Sequence, residues 1–514
     1  MRGALWLGRA VSAVALATGT VAAEVSMPSI FGNHMVLQQG ESIPVWGWAD
    51  PGEAVAVSLS GRMVDTMADE SGHWRVDLRK QKAGGPHQLR VTGDGNELLF
   101  DDVLIGEVWV GSGQSNMQWP VNRSANPDAE IAAANHPGIR LFSVELKAST
   151  TPEENCKGTW QVCSPETIPD FSAVLYYFGR ELHQELERPV GLINTSWGGT
   201  PAEAWTSRPA LEAEPALRYL VEKWDQIVAD YPAAKAAHEQ AMAEWSAAVE
   251  AAKAAGAEAP AKPKEPQGPH SSWLAAGLFN QMIAPLTPFA IQGAVWYQGE
   301  SNAGRAHEYR TLFPVMIQSW RDDWGQGDFP FYFVQLANFK ERAAEPGDSD
   351  WAELREAQTM TLSLPNTGMA TIIDIGDAKD IHPTNKQDVG KRLARHALAK
   401  DYRKRVVYSG PSYKSHRVDG NEVTLSFEHV DGGLRAEGGE LTGFAVAGAD
   451  RKFVWASARI EGRKVVVSSP EVAEPVALRY GWADNPACNL YNEAGLPAVP
   501  FRTDDWPGIT EGKQ

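Results

Sequence analysis

Cysteine is scarce in this chain, with three among 514 residues. That excludes a scaffold built on disulfides, which needs paired cysteines at high density. Cys156 and Cys163 lie close together in a polar stretch and are expected to form one local bridge, leaving Cys488 unpaired. A cysteine-based zinc site is excluded, because the spacing is wrong and no nearby histidine pair completes it. Positive charge is scarce too: 47 Lys and Arg face 65 Asp and Glu, a net charge of −18. So acidic a chain repels phosphate backbones, which excludes nucleic acid as a partner. The apolar stretch at 11–21 is too short to span a bilayer. With 43% hydrophobic and 22% charged residues, the composition is neither disordered, collagen-like nor that of a polytopic membrane protein.

What is present begins with an export signal. Arg2 and Arg9 supply a basic start, 11–21 an apolar stretch, and Val21-Ala22-Ala23 a small-residue cleavage site before Glu24. The chain is therefore expected to be exported, to the periplasm or the exterior, with 1–23 removed. The remaining length exceeds one comfortable core, so two or three domains are expected. Residues 24–102 hold short, partly alternating runs such as Ala54-Val55-Ala56-Val57-Ser58-Leu59, separated by Gly and Asp turns, and read as a β-sandwich module. From 103 to 403, buried-strand candidates alternate with amphipathic stretches, which argues a parallel α/β sheet. Residues 208–269 interrupt it: an Ala-, Glu- and Lys-rich helical insertion, read as a hairpin, followed by an Ala/Pro/Lys connector read as flexible. Residues 404–514 return to short β-runs. Tryptophan is frequent, at 19, which suits sugar-stacking surfaces and a tryptophan-rich core equally.

The chemistry collects where the α/β strands end. Four polar, Gly-containing turns follow them: Gly111-Ser112-Gly113-Gln114-Ser115-Asn116, Thr195-Ser196-Trp197-Gly198-Gly199, Tyr297-Gln298-Gly299-Glu300-Ser301-Asn302, and Gly376 to Pro383. In an open parallel sheet the carboxyl ends of strands share one edge, so these turns are expected to converge on one crevice. A serine-type hydrolase needs a nucleophile, a base, a group that orients the base, and oxyanion donors. Ser115 is the best nucleophile, with Ser112 its competitor. The pentad Gly113-Gln114-Ser115-Asn116-Met117 lacks the second glycine of the α/β-hydrolase elbow. His382 is the best base, with Asp380 two residues earlier to hold its ring; His396, in a helical run, reads as surface or packing. Gly198 or Gly199 suits the backbone oxyanion donor, and Gln298 or Asn302 the side-chain donor.

Val110 to Met117, Trp296 to Asn302, Gly198 to Trp205 and Asp380-Ile381-His382-Pro383 together resemble the signature blocks of the sialate O-acetylesterase family, SGNH-like carbohydrate acetylesterases. The resemblance spans nearly the whole chain after residue 23. It implies a flavodoxin-like three-layer α/β/α esterase domain flanked by β-rich modules, with no metal and no organic cofactor. It places Ser115 on the nucleophile, His382 on the base, and the Gly198-Gly199 turn and Gln298 on the oxyanion blocks. The position three before the histidine, where such hydrolases commonly carry the acid, is Lys379 here, so Asp380 or Asp377 takes that role or a dyad remains. The activity implied is removal of O-acetyl groups from carbohydrates, either acetylated sialic acid or plant polysaccharide fragments such as xylan. A sialate carboxylate calls for an arginine, and Arg305 and Arg355 lie in the α/β region. The alternative on the same fold is an inactive carbohydrate-binding surface protein.

Overall fold

The computed structural model describes residues 24–514; the expected export segment, 1–23, lies outside the described residues. One strand organises the molecule. β1 (Glu97–Gly113) alternates between exposed and half-buried residues up to Asp102, and from Val103 every residue is buried. The first half pairs antiparallel with Gly84–Thr92 in the N-terminal sheet. The second half runs parallel between two further strands. The sequence accounts for the change: a strand solvated on one face tolerates alternation, whereas a parallel strand covered on both faces is mostly apolar. The one charged residue of this buried half, Glu107, is held by Gln39 and Arg188. Residue 103, expected to open the α/β region, therefore lies inside a continuous strand.

The other strands of the central sheet are β2 (His136–Ser143), β3 (Trp160–Cys163), β4 (Val190–Asn194), β5 (Gly293–Tyr297), β6 (Phe331–Val334) and β7 (Thr367–Ala370). Their order is β7-β6-β5-β1-β4-β2-β3. β3 is antiparallel to its neighbour, and the remaining pairs are parallel. After β1 the chain builds β2 to β4 on one side, then crosses to build β5 to β7 on the other. β1 is thus the topological switch point, and a crevice is expected beyond its carboxyl end.

The main helices are α1 (Ala173–Leu186), α2 (Arg218–Ala255), α3 (Ala306–Trp324), α4 (Asp350–Met360) and α5 (Lys386–Lys400). Alternation along the strands divides them between two faces. Trp109 meets Phe178 of α1 and Tyr332 meets His396 of α5, with ring centroids 5.0 and 5.8 Å apart. Trp296, Phe331 and Phe333 turn the opposite way, onto Phe313 and Trp320 of α3. The result is the expected three-layer α/β/α sandwich. Trp109, Trp205, Trp296 and Trp320 are fully buried, so these four tryptophans serve the core.

Two flanking regions differ. Val55, Val57, Leu89 and Val91 of the N-terminal sheet belong to the same apolar cluster as the central sheet. Val423, Leu425, Phe444, Val465 and Tyr480 of the C-terminal region form a cluster of their own.

Two expectations are corrected. The insertion is a short helix, Arg208–Ala213, followed by a single long one rather than a hairpin of two matched helices: α2 runs 38 residues straight through Pro232 and buries only Leu220, Val221 and Trp224. Its Ala/Glu/Lys composition favours helix throughout, and no glycine breaks the run. The connector that follows packs back along it, with Trp245 Nε1 donating to Pro260 O at 2.8 Å. Cys156 and Cys163 are free, buried thiols. Cys163 Sγ points at Ala134 O, 3.5 Å away, and burial pushes both thiols up to about 12. Among the described residues, no helix is long and apolar enough to cross a membrane.

Candidate active site

At the end of β1, Gly113 has φ +136°, and a Cβ there would lie 2.1 Å from Tyr297 O. Only glycine lets the chain leave the sheet this close to β5. Gln114 N–H then donates to Tyr297 O at 3.0 Å. The Gln114 side chain returns the tie, its Oε1 accepting from the N–H groups of Gly299 and Ser301 at 3.2 Å each. Ser115 opens a one-turn helix, Ser115–Gln118. Its N–H is the first of that helix and has no preceding turn to bond to.

His382 reaches Ser115 from the turn after β7. Its Nε2 lies 2.9 Å from Ser115 Oγ. Its Nδ1 lies 3.2 Å from Asp380 Oδ1, and its backbone N–H donates to the same oxygen at 2.8 Å. With Nδ1–H facing a carboxylate, Nε2 is the lone-pair nitrogen and faces the serine hydroxyl. Asp377 does other work: its Oδ1 accepts from Lys379 N–H at 2.7 Å and Asp380 N–H at 3.3 Å, which shapes the turn. The His382 ring stacks on Trp119, centroids 4.9 Å apart and 14° from parallel. Burial depresses the His382 pKa; Asp380 opposes this, and the positive charges of Lys386 and Arg123 add to it.

Ser112, the competing serine, is buried inside β1, out of reach of any substrate. His396 is buried with Nε2 2.9 Å from Met369 O, and burial lowers its pKa to about 3, so it is a packing residue.

The four residues expected at the oxyanion site separate into two kinds. Gly199 is exposed, has φ +74°, and among the described residues no group accepts its N–H. Gly198 N–H is already engaged, donating to Gln118 Oε1 at 2.7 Å; the glycine lies against Ser115, where a Cβ would come 3.3 Å from that of the serine. Gln298 is buried, with Nε2 donating to Asn302 Oδ1 at 2.6 Å and to Thr200 O at 3.3 Å. Asn302 in turn accepts from Ala202 N–H at 3.0 Å and donates to Glu203 at 3.0 Å. These two amides form a bonded wall beneath the crevice rather than its open surface.

Neither candidate arginine faces the site. Arg305 is held by Glu203 and Glu308, and Arg355 is buried on the carbonyls of Leu336, Ala337, Ala483 and Asp484. The arginine beside His382 is Arg123, exposed, with its guanidinium 4.0 Å from the Trp119 ring centroid. The sequence reading also passed over Gln114, Asn116 and Gln118. Their signal was present: three carboxamides within one turn of the nucleophile.

A family model described as carbohydrate esterase, sialic acid-specific acetylesterase, matches residues 269–399. That span contains Gln298, Asn302 and His382 but not Ser115. The mouse sialate O-acetylesterase is 31% identical over 526 residues, covering 92% of this chain and 93% of that one. The human sialate O-acetylesterase is 29% identical over 534 residues, covering 93% of each. The crystal structure of a carbohydrate acetylesterase from Xanthomonas citri is 39% identical, with a TM-score of 0.80, covering 94% of this chain and 100% of that one.

Proposed function

The chain belongs to the sialate O-acetylesterase family, and from that premise we propose that it cleaves the acetyl ester of an O-acetylated carbohydrate through an acetyl-enzyme on Ser115. The observation that carries this reading is the 2.9 Å contact from His382 Nε2 to Ser115 Oγ, with Asp380 on the far side of the ring. Ser115 Oγ attacks the acetyl carbonyl carbon as its proton passes to His382 Nε2. The negative charge that develops on the carbonyl oxygen is met by the N–H groups of Ser115 and Gly199. Gln298, with both its donors and its acceptor engaged, backs the site from beneath and holds the Thr200 and Asn302 segments in place. The intermediate collapses by breaking the bond from the acyl carbon to the sugar oxygen, which takes the proton from His382. Water then loses a proton to His382, adds to the acetyl carbon, and acetate leaves with Ser115 reprotonated. A depressed His382 pKa suits this cycle, since the ring must begin neutral.

Nothing in the site favours the inactive alternative, because Ser115, His382 and Asp380 are present and in contact. Turnover of an aryl acetate with a burst of one phenolate per chain tests the proposal; a chain with no turnover sinks it. The sugar is read from charge. An acetylated sialate brings a carboxylate, and Arg123 is the exposed guanidinium beside His382 that receives it. Rates on 9-O-acetyl sialate and on acetylated xylan or xyloglucan oligosaccharides, each with Arg123→Ala, decide between them. A loss confined to the sialate supports the anionic sugar, and equal rates in both variants exclude that role for Arg123. Export belongs to the same proposal; a mature chain whose first residue is Glu24 supports it.

A further inference from the structure

Ser115 and His382 stand on separate turns, far apart in sequence, yet their productive contact depends on a separation fixed to a few tenths of an ångström. One buried side chain joins the two turns directly. Asn116, next to the nucleophile, is 1% exposed. Its Nδ2 donates to Ile381 O, the residue before the base, at 3.0 Å, and to Glu300 Oε1 at 2.6 Å. Its Oδ1 accepts from Lys386 Nζ. The amide therefore lies between a cation and an anion, carbonyl toward the ammonium and NH₂ toward the carboxylate.

Lys386 sits where a lysine is disfavoured twice over. It is 0% exposed, and burial of an ammonium is costly. It is also the first residue of α5, where the helix dipole repels a cation. Burial brings it down to about 7 and pushes Glu300 up. The two make no direct ion pair among the described residues; Asn116 separates them. The faces of Tyr297 and Trp119 complete the lysine's surroundings, with ring centroids 5.3 and 5.8 Å from Nζ. The deacetylation scheme itself uses none of Lys386, Asn116 and Glu300.

We propose that Lys386 is a positioning residue: acting through Asn116 and opposed by Glu300, it fixes the nucleophile helix against the loop that carries the base. Lys386 anchors the carboxamide oxygen, so the NH₂ cannot turn away from Ile381 O, and the His382 loop is held at one height above Ser115. The proposal rests on the assignment of Ser115 and His382, which the Ser115→Ala variant tests separately. If Ser115→Ala keeps activity, that assignment fails; if only the Lys386 variants keep it, this inference alone fails.

The test is steady-state kinetics on an aryl acetate across pH. The double variant Lys386→Met with Glu300→Gln removes both charges and leaves neither buried alone. Folded, with a wild-type melting temperature, it is expected to lose at least about tenfold in kcat with KM within about threefold. The groups that bear on the His382 ring are Asp380, Lys386 and Arg123. Removing the lysine's charge is therefore expected to move the acid limb of kcat/KM to higher pH, which a purely structural defect does not do. A double variant with kcat within about threefold of wild type and an unmoved limb overturns the proposal. If that variant does not fold, Asn116→Ala, which cuts the link but keeps the lysine's charge, decides: a loss of at least about tenfold in kcat with KM within about threefold and an unmoved acid limb is expected, and kcat within about threefold of wild type overturns the proposal. If neither folds, the cluster is part of the folding core and the proposal is overturned.

Discussion

Two polar groups of residues share the carboxyl edge of one sheet and are built on opposite terms. The upper set, Ser115, His382 and Asp380, is partly exposed, with 26% of the His382 side chain and 58% of Asp380 open to solvent. Each of its members makes few bonds. The lower set, Gln298, Asn302 and Glu203, is buried and saturated: Gln298 accepts from Tyr309 OH at 2.8 Å besides its two donated bonds, and Glu203 also pairs with Arg305. A group with spare valence can exchange protons with a substrate, whereas a fully bonded group can only hold position. The difference predicts that damage above will cost rate and damage below will cost stability.

The largest expected effect is Ser115→Ala, which should lower kcat at least about 10³-fold with the melting temperature unchanged, because nucleophile and base act as a unit. Loss of activity on Ser112→Ala instead would reverse the assignment. Asp380→Asn comes next. Its carboxylate orients His382 and steadies the imidazolium, but it is half in water, so a loss of about a hundredfold to a thousandfold is expected, short of the 10⁴ of a buried triad acid. Asp377→Asn, which keeps an oxygen for the turn, should cost about tenfold or less. Matched kinetics of the two variants fix which aspartate is the acid. On the lower set, Asn302→Ala leaves Glu203 Oε2 and Ala202 N–H without their partner and should destabilise the fold by about 1–3 kcal/mol, read from denaturant midpoints; a variant as stable as wild type breaks the comparison.

Smaller still is the pH effect. The reaction needs His382 neutral, and burial lowers its pKa, so kcat/KM should climb to its plateau with a midpoint below 6.5, the ordinary histidine value. Arg123→Ala removes a neighbouring positive charge that lowers the His382 pKa, so the midpoint should move upward, the more so at low ionic strength because Arg123 is exposed and screened. The least effect is expected from replacing the outer part of α2 and its return segment, 232–268, with a short Gly/Ser linker. Most of that arm is exposed, so kcat on an aryl acetate should stay within about twofold.

Much of this was legible in the sequence, and the limits follow from range. Strand alternation, apolar runs and turn residues are local signals, so the α/β layers and the four converging turns could be read from them. Ser115 and His382 could be singled out because a serine and a histidine in Gly-containing turns after strands are local signals, and the fold brings the two into contact. Which amides face the crevice was not legible. Gly198 N–H is taken by Gln118, 80 residues away in sequence, and Gln298 is turned inward by Tyr309 and Asn302; such pairings exist only once the chain is packed. Cys156 and Cys163 failed for the same reason: closeness in sequence says nothing of where two sulfur atoms point.

The continuity of β1 also sets an order in time. The outer half of the strand closes early, since its antiparallel partner, Gly84–Thr92, is already made when β1 emerges. The inner half, ending at Gly113, must wait for β4 and then β5, which ends about 180 residues later at Tyr297. At synthesis rates of about 5–20 residues per second, that is a delay of about ten to forty seconds. Val108-Trp109-Val110 has an unpaired edge on each side until β4 arrives, and one open edge from then until β5 does. The nucleophile strand is thus the segment of this chain most in need of protection from wrong partners while the molecule is being made.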